Sequence, residues 1–192
     1  MDKLLCKWIT QIIQQNEPLI KIAVRQRAKF EGWLKFELAA LAEASGADMV
    51  EVETSSQEPN NKQRADISFF YNGASYDIEL KTPNTNWRTE GVVVAHRPIT
   101  KNVNEIIQDG KKLKRSSNNG LVAFVMFPIP PGDNQWEQYI SRIASKLQLS
   151  VTPQANCNRV SIAVDAKHKA ELIVCSFFAS SGKQDSVGGS AT

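Results

Sequence analysis

The 192-residue sequence predicts an α/β domain with a mixed central sheet flanked by helices. Three observations predict it. Leu121–Phe127 is apolar throughout, as expected of a central strand covered on both faces. Residues 64–82 read as a β-hairpin centred on Asn72-Gly73, the dipeptide that best suits a two-residue turn with positive φ at both positions. Helical periodicity recurs before and after that hairpin, over about Ile22–Ala44 and Ile99–Lys114.

In chain order, Met1–Gln15 reads as a short helix that caps the domain or contacts a second copy. The segment from about Ile22 to Ala44 reads as one helix, free of proline and ended by Gly46. Ala47–Thr54 alternates as a strand, and Ser55–Gln63 is a polar loop. After the hairpin, Gly91–Ala95 is a short apolar run, either a strand extension or a loop. Thr100 is the expected N-cap of the helix from Ile99, with Val103, Ile106 and Ile107 on its buried side and Gly110 interrupting it. Pro128, Pro130 and Pro131 are expected to stop the central strand. A further helix over Asn134–Leu147 and two strands, Arg159–Asp165 and Glu171–Ala179, complete the domain. The expected organisation is one domain over residues 1–179 and a disordered Ser/Gly-rich tail over 180–192.

The hairpin carries the first chemical signal. If Asn72-Gly73 closes it, Ile67 meets Ile78 and Phe69 meets Tyr76 on an apolar face. The other face then sets Asp66 opposite Glu79, Ser68 opposite Asp77 and Arg64 opposite Lys81. Opposed carboxylates with Cβ atoms about 5 Å apart repel. A divalent cation, a shared proton, or Lys81 and Arg64 could offset that repulsion. A solvated polar face with ordinary cross-strand ion pairs is the plainer alternative. Glu37 is the second signal. It falls within the stripe of Phe30, Trp33, Leu34, Leu38 and Leu41, where a carboxylate needs a cation or a metal.

Helix with inward Glu37, strand with Asp66, then Glu79-Leu80-Lys81 on the next strand resembles the PD-(D/E)xK nuclease superfamily. Ala65 stands where the name-giving proline would be. The resemblance covers roughly residues 20–128 and implies a restriction-endonuclease-like αβββαβ core, here followed by a helix and two strands. It implies metal-dependent hydrolysis of phosphodiester bonds, with DNA the expected substrate and the choice between DNA and RNA left open. Glu37, Asp66, Glu79 and Lys81 are then catalytic. Asp66, Glu79 and the Leu80 carbonyl would hold Mg²⁺ or Mn²⁺, and Lys81 would orient or help deprotonate the attacking water. Glu37 would support the groups around the metal or bind a second ion.

Charge adds a little. The net charge of +3 does not by itself argue for nucleic acid, but Arg97–Arg115 holds six basic and two acidic residues. Arg64, Arg88, Arg97, Lys101, Gln108, Lys111 and Lys112 are the candidate nucleic-acid contacts; cations at the end of a helix also complement its dipole without any ligand. Three widely spaced cysteines, Cys6, Cys157 and Cys175, argue against a disulfide framework, a zinc site or a four-cysteine cluster, and favour a reducing cytoplasm. No apolar run is long enough to span a membrane, and the N-terminus lacks the form of a signal peptide. A homodimer cutting both strands of a duplex is compatible with the chain. Two other readings stay open: an inactive nucleic-acid-binding or assembly module that keeps the fold, and a structural hairpin with no site.

Overall fold

The computed structural model describes residues 1–53, 65–96 and 98–182. Arg64, Arg97, the expected loop 55–63 and the tail beyond residue 182 lie outside them. Three helices lead the chain: α1 (Asp2–Gln15), α2 (Glu17–Gln26) and α3 (Glu31–Ala44). Strands β1 (Asp48–Val52), β2 (Ile67–Tyr71) and β3 (Ala74–Lys81) follow, then α4 (Ile99–Leu113) and β4 (Asn119–Ile129). The chain closes with α5 (Glu137–Leu147), the short α6 (Pro153–Asn156), β5 (Cys157–Ala163) and β6 (Lys169–Ser180).

Among the described residues, the strands form one sheet in the order β1-β2-β3-β4-β6-β5. Its parallel neighbours are β3 and β4, joined across α4; the other adjacent pairs are antiparallel. The sheet is therefore mixed, with helices on both faces. On one face α1, α2 and α3 cover Ile67, Ile78, Leu80, Leu121, Ala123 and Val125. On the other, α4 and α5 cover Val122, Phe124, Met126, Ile173 and Phe177. Successive residues of β4 thus enter opposite cores, which is why its sequence shows no alternation. No helix among the described residues is long and apolar enough to cross a membrane.

The hairpin forms about Asn72 and Gly73, both at positive φ, with Ile67 opposite Ile78, Ser68 opposite Asp77 and Phe69 opposite Tyr76. The ladder stops at Ile67. The Asp66 N–H donates to the Ile78 carbonyl, one residue out of register, so the expected face-to-face opposition of Asp66 and Glu79 is not part of it.

Other expectations need correction. The expected helix from Ile22 to Ala44 is two helices, α2 and α3, broken at Arg27, which is left-handed at φ 52°. The break lets the buried Arg27 guanidinium donate to the carbonyls of Val93, Thr85 and Trp87, and so pin the long segment after β3. α4 starts at Ile99 behind Pro98 with no side-chain cap, so Thr100 lies inside it. Pro128 does not stop β4, which runs on to Ile129. Of the two alternatives for Gly91–Ala95, the loop is the one that forms. Cys157 and Cys175 are cross-strand partners, and all three thiols are free.

Candidate functional site

Carboxylates and lysines from four segments meet at the carboxyl end of β3. Glu31 and Lys35 come from α3, one turn apart on the same face. Asp66 stands just ahead of β2, Glu79 and Lys81 lie on one face of β3, and Asp109 and Lys112 come from α4. The hairpin and the β3–α4–β4 crossover bring these residues together. The carboxyl ends of parallel strands are where α/β sheets place their ligand sites.

The Asp66 carboxylate is held twice. Its Oδ1 lies 2.7 Å from Lys35 Nζ, and its Oδ2 accepts the Leu80 N–H at 2.8 Å. Glu79, 3% exposed, is ion-paired with Lys112. Lys81 Nζ stands among four oxygens: the Leu80 carbonyl at 3.2 Å, Glu31 Oε1 and Asp109 Oδ2 at 3.5 Å, and Asp66 Oδ2 at 3.7 Å. The Thr82 N–H donates to the other Glu31 oxygen at 3.3 Å. Glu53, at the exposed rim, lies 3.7 Å from Lys35.

Among the described residues, four inner carboxylates face three ammonium groups, one negative charge in excess when all are ionised. The electrostatics divide accordingly. Burial pushes the Glu79 carboxyl up to about 7; the Lys112 bond opposes this and the charge of Asp66 reinforces it. Burial likewise raises Asp109 against the pull of Lys81 and Lys112. For Asp66, burial is outweighed by the Lys35 hydrogen bond, the Leu80 N–H and Lys81, so it stays below the usual range. Lys81 is raised, because Asp109, Asp66 and Glu31 together outweigh its burial. It is therefore a firmly charged ammonium.

The donor set suits a hard cation. Asp109 Oδ2 is buried without a hydrogen bond, the excess charge is negative, and every candidate ligand is oxygen. In the conformation described, no three His, Cys, Asp or Glu side chains among the described residues are gathered closely enough to grip an ion. The Lys81 ammonium stands between them instead.

Of the residues expected at a site, Asp66, Glu79, Leu80 and Lys81 come together. Glu37 does not join them: it is half-buried and makes no ion pair with the cluster among the described residues. The buried face of α3 is Leu34, Lys35, Leu38, Ala39 and Ala42, rotated away from the stripe drawn through the large side chains. At about 100° per residue, Glu37 is turned some 120° from Glu31. Lys112, expected on phosphate, turns inward to Glu79. Arg88, Lys101, Gln108 and Lys111 are exposed.

The cluster also contains Glu31, Lys35 and Asp109, which the sequence reading missed. The signal was present for two of them. Lys35 follows Leu34 by one residue and precedes Ala42 by seven, on the inward face; Asp109 lies three residues after Ile106 and four before Leu113, both buried. No family model, curated protein or solved structure matches the chain.

Proposed function

We propose that this cluster is a divalent-metal-dependent centre for phosphodiester hydrolysis, and that the protein is a nuclease acting on DNA. The observation that carries the reading is the ring of oxygens around Lys81: Asp66, Glu31, Asp109 and the Leu80 carbonyl, beside the buried Glu79. The element order α3-β1-β2-β3-α4-β4 supports it, being the αβββαβ order implied by the resemblance to the PD-(D/E)xK superfamily, as does the Asp66…Glu79-Leu80-Lys81 motif.

Asp66, Glu79 and the Leu80 carbonyl would hold the ion, and Asp109 Oδ2, now 3.5 Å from the Lys81 ammonium, is a further candidate oxygen. A bound Mg²⁺ or Mn²⁺ would lower the pKa of its water and neutralise phosphate charge. Lys81 has the role of a cation, not of a base. Its neighbours keep it protonated, so it donates to the attacking water or to a phosphate oxygen on which charge develops. Glu31 fixes the direction of that ammonium from α3, and Asp109 does so from α4. Lys112 compensates Glu79 until the ion arrives.

One observation favours a second reading, an inactive nucleic-acid-binding or assembly module. Asp66 and Glu79 already carry lysine partners, Lys35 and Lys112, which could neutralise them permanently. Cleavage of single-stranded and duplex DNA and RNA with Mn²⁺, Mg²⁺ or EDTA separates the two. Metal-dependent cutting that disappears in Glu79→Gln is expected; intact protein that neither cuts nor binds Mn²⁺ would favour the module.

A further inference from the structure

We infer that the cleft beside the cluster seats the substrate, and that it takes one unpaired nucleic-acid strand. The inference rests on the reading of the cluster as a phosphodiester-cleaving centre. The cleft measures 810 Å³ and runs from the α2–α3 junction to α4. The cleft shares α4 with the cluster, and its other walls adjoin α3 and β3 in the chain. Lys29 lines it two residues before Glu31, Asn84 three residues after Lys81, and Glu105 one turn before Asp109 on α4. A strand lying in the cleft therefore reaches the cluster at its end.

The lining has the chemistry of a strand, phosphate on one side and base on the other. Lys29 and Lys101 are exposed cations with no ion pair among the described residues, and His96 is exposed beside them. Val93 and Val94, 61% and 69% exposed, give an apolar wall of the kind against which base faces lie. Asn84 Oδ1 is buried with no hydrogen bond, while its amide nitrogen is fixed on the Arg27 carbonyl. Arg27 itself is spent on three carbonyls, so it builds the floor and leaves phosphate to the lysines.

Size decides between one strand and two. The volume lies within the roughly 300–1,000 Å³ range of small-molecule clefts and suits about one or two nucleotides. A duplex is too wide to enter: it can meet the exposed Val93 and Val94 at the rim but not the buried Arg27 floor.

The test is binding, read by fluorescence anisotropy in EDTA so that no cutting is needed. The probes are a short labelled oligothymidylate and a matching duplex, each across a salt series. The single strand is expected to bind more tightly than the duplex. Lys29→Ala with Lys101→Ala should weaken strand binding about tenfold and reduce its logarithmic salt slope by about 1.4, two phosphates at roughly 0.7 each. Val94→Ser should weaken it without changing the slope, and Lys146→Ala, on α5 outside the cleft, should do nothing. Duplex binding as tight as strand binding, or a lysine pair variant that binds like wild type, overturns the inference. Failure of the cluster reading looks different: the strand still binds through Lys29 and Lys101, but neither wild type nor Glu79→Gln cuts it.

Discussion

Lys35 of α3 and Asp66 ahead of β2 form a 2.7 Å ion pair in which both side chains are largely buried. The pair ties the helix layer to the sheet edge where the hairpin ladder ends. Removing Lys35 leaves the buried Asp66 charge only the Leu80 N–H and the more distant Lys81 ammonium. Lys35→Ala is expected to lower unfolding free energy by about 3 kcal/mol. Lys35→Met should cost less, because it keeps the packed stem. Urea denaturation followed by circular dichroism checks both, and a loss below about 1 kcal/mol would mean the pair is solvated.

Gly110 and Leu147 make the second structural prediction. A Cβ at Gly110 would stand 2.6 Å from Leu147 Cδ1, so α4 and α5 approach this closely only because residue 110 has no side chain. Leu147 is itself buried, at 1% exposure. Gly110→Val is expected to destabilise by about 1–3 kcal/mol through overpacking. Gly110→Val with Leu147→Ala should lose less than the sum of the single variants, since each relieves the other. Additive losses in thermal unfolding would exclude the contact.

These two contacts also mark how far the sequence could be read. The hairpin was legible because Asn72-Gly73 fixes a turn and the turn fixes the pairs from Tyr71–Ala74 to Ile67–Ile78. The central strand was legible because seven consecutive apolar residues can be buried on both faces and nowhere else. The end of the ladder was not legible: nothing in Arg64–Ile67 announces that the Asp66 N–H will donate to the Ile78 carbonyl. The interruption at Arg27 depends on carbonyls some sixty residues later, a tertiary demand without a local mark. Glu37 drew attention because a stripe drawn through the large apolar residues of α3 ignores Ala39 and Ala42, which turn the buried face toward Lys35. Gly110 reads locally as a cost to its helix, and only the packing of α5 explains it.

Lys81 should be required for chemistry and dispensable for the fold. Its ammonium touches three carboxylates, and without it they can take up protons instead of remaining charged. Lys81→Met is therefore expected to fold while cutting about 100- to 1,000-fold more slowly, the usual loss when one donor to a developing anion is removed. Lys81→Arg should retain part of the rate, because it keeps the charge and loses the position. A Met variant that cuts at the wild-type rate would remove Lys81 from the mechanism.

Glu79 gives the site its pH dependence. Its folded-state value of about 7 lies above the ordinary 4.5, so the folded protein holds this proton more tightly than the unfolded chain does. The resulting stabilisation is full below pH 4.5 and is lost as pH rises through about 7. In EDTA, wild type should lose about 3 kcal/mol relative to Glu79→Gln across that window. Metal reverses the slope. An ion held by Glu79 requires the carboxylate, so Mn²⁺ affinity should rise with pH up to about 7 and then level off, with one proton released per ion bound below that point. At 100 times its dissociation constant, Mn²⁺ should stabilise the fold by about 2.7 kcal/mol, and Glu79→Gln should abolish that gain. Calorimetric titration at two pH values in buffers of different ionisation enthalpy counts the proton directly. Mn²⁺ binding with no proton release would assign the ion to Asp66 and its neighbours without Glu79.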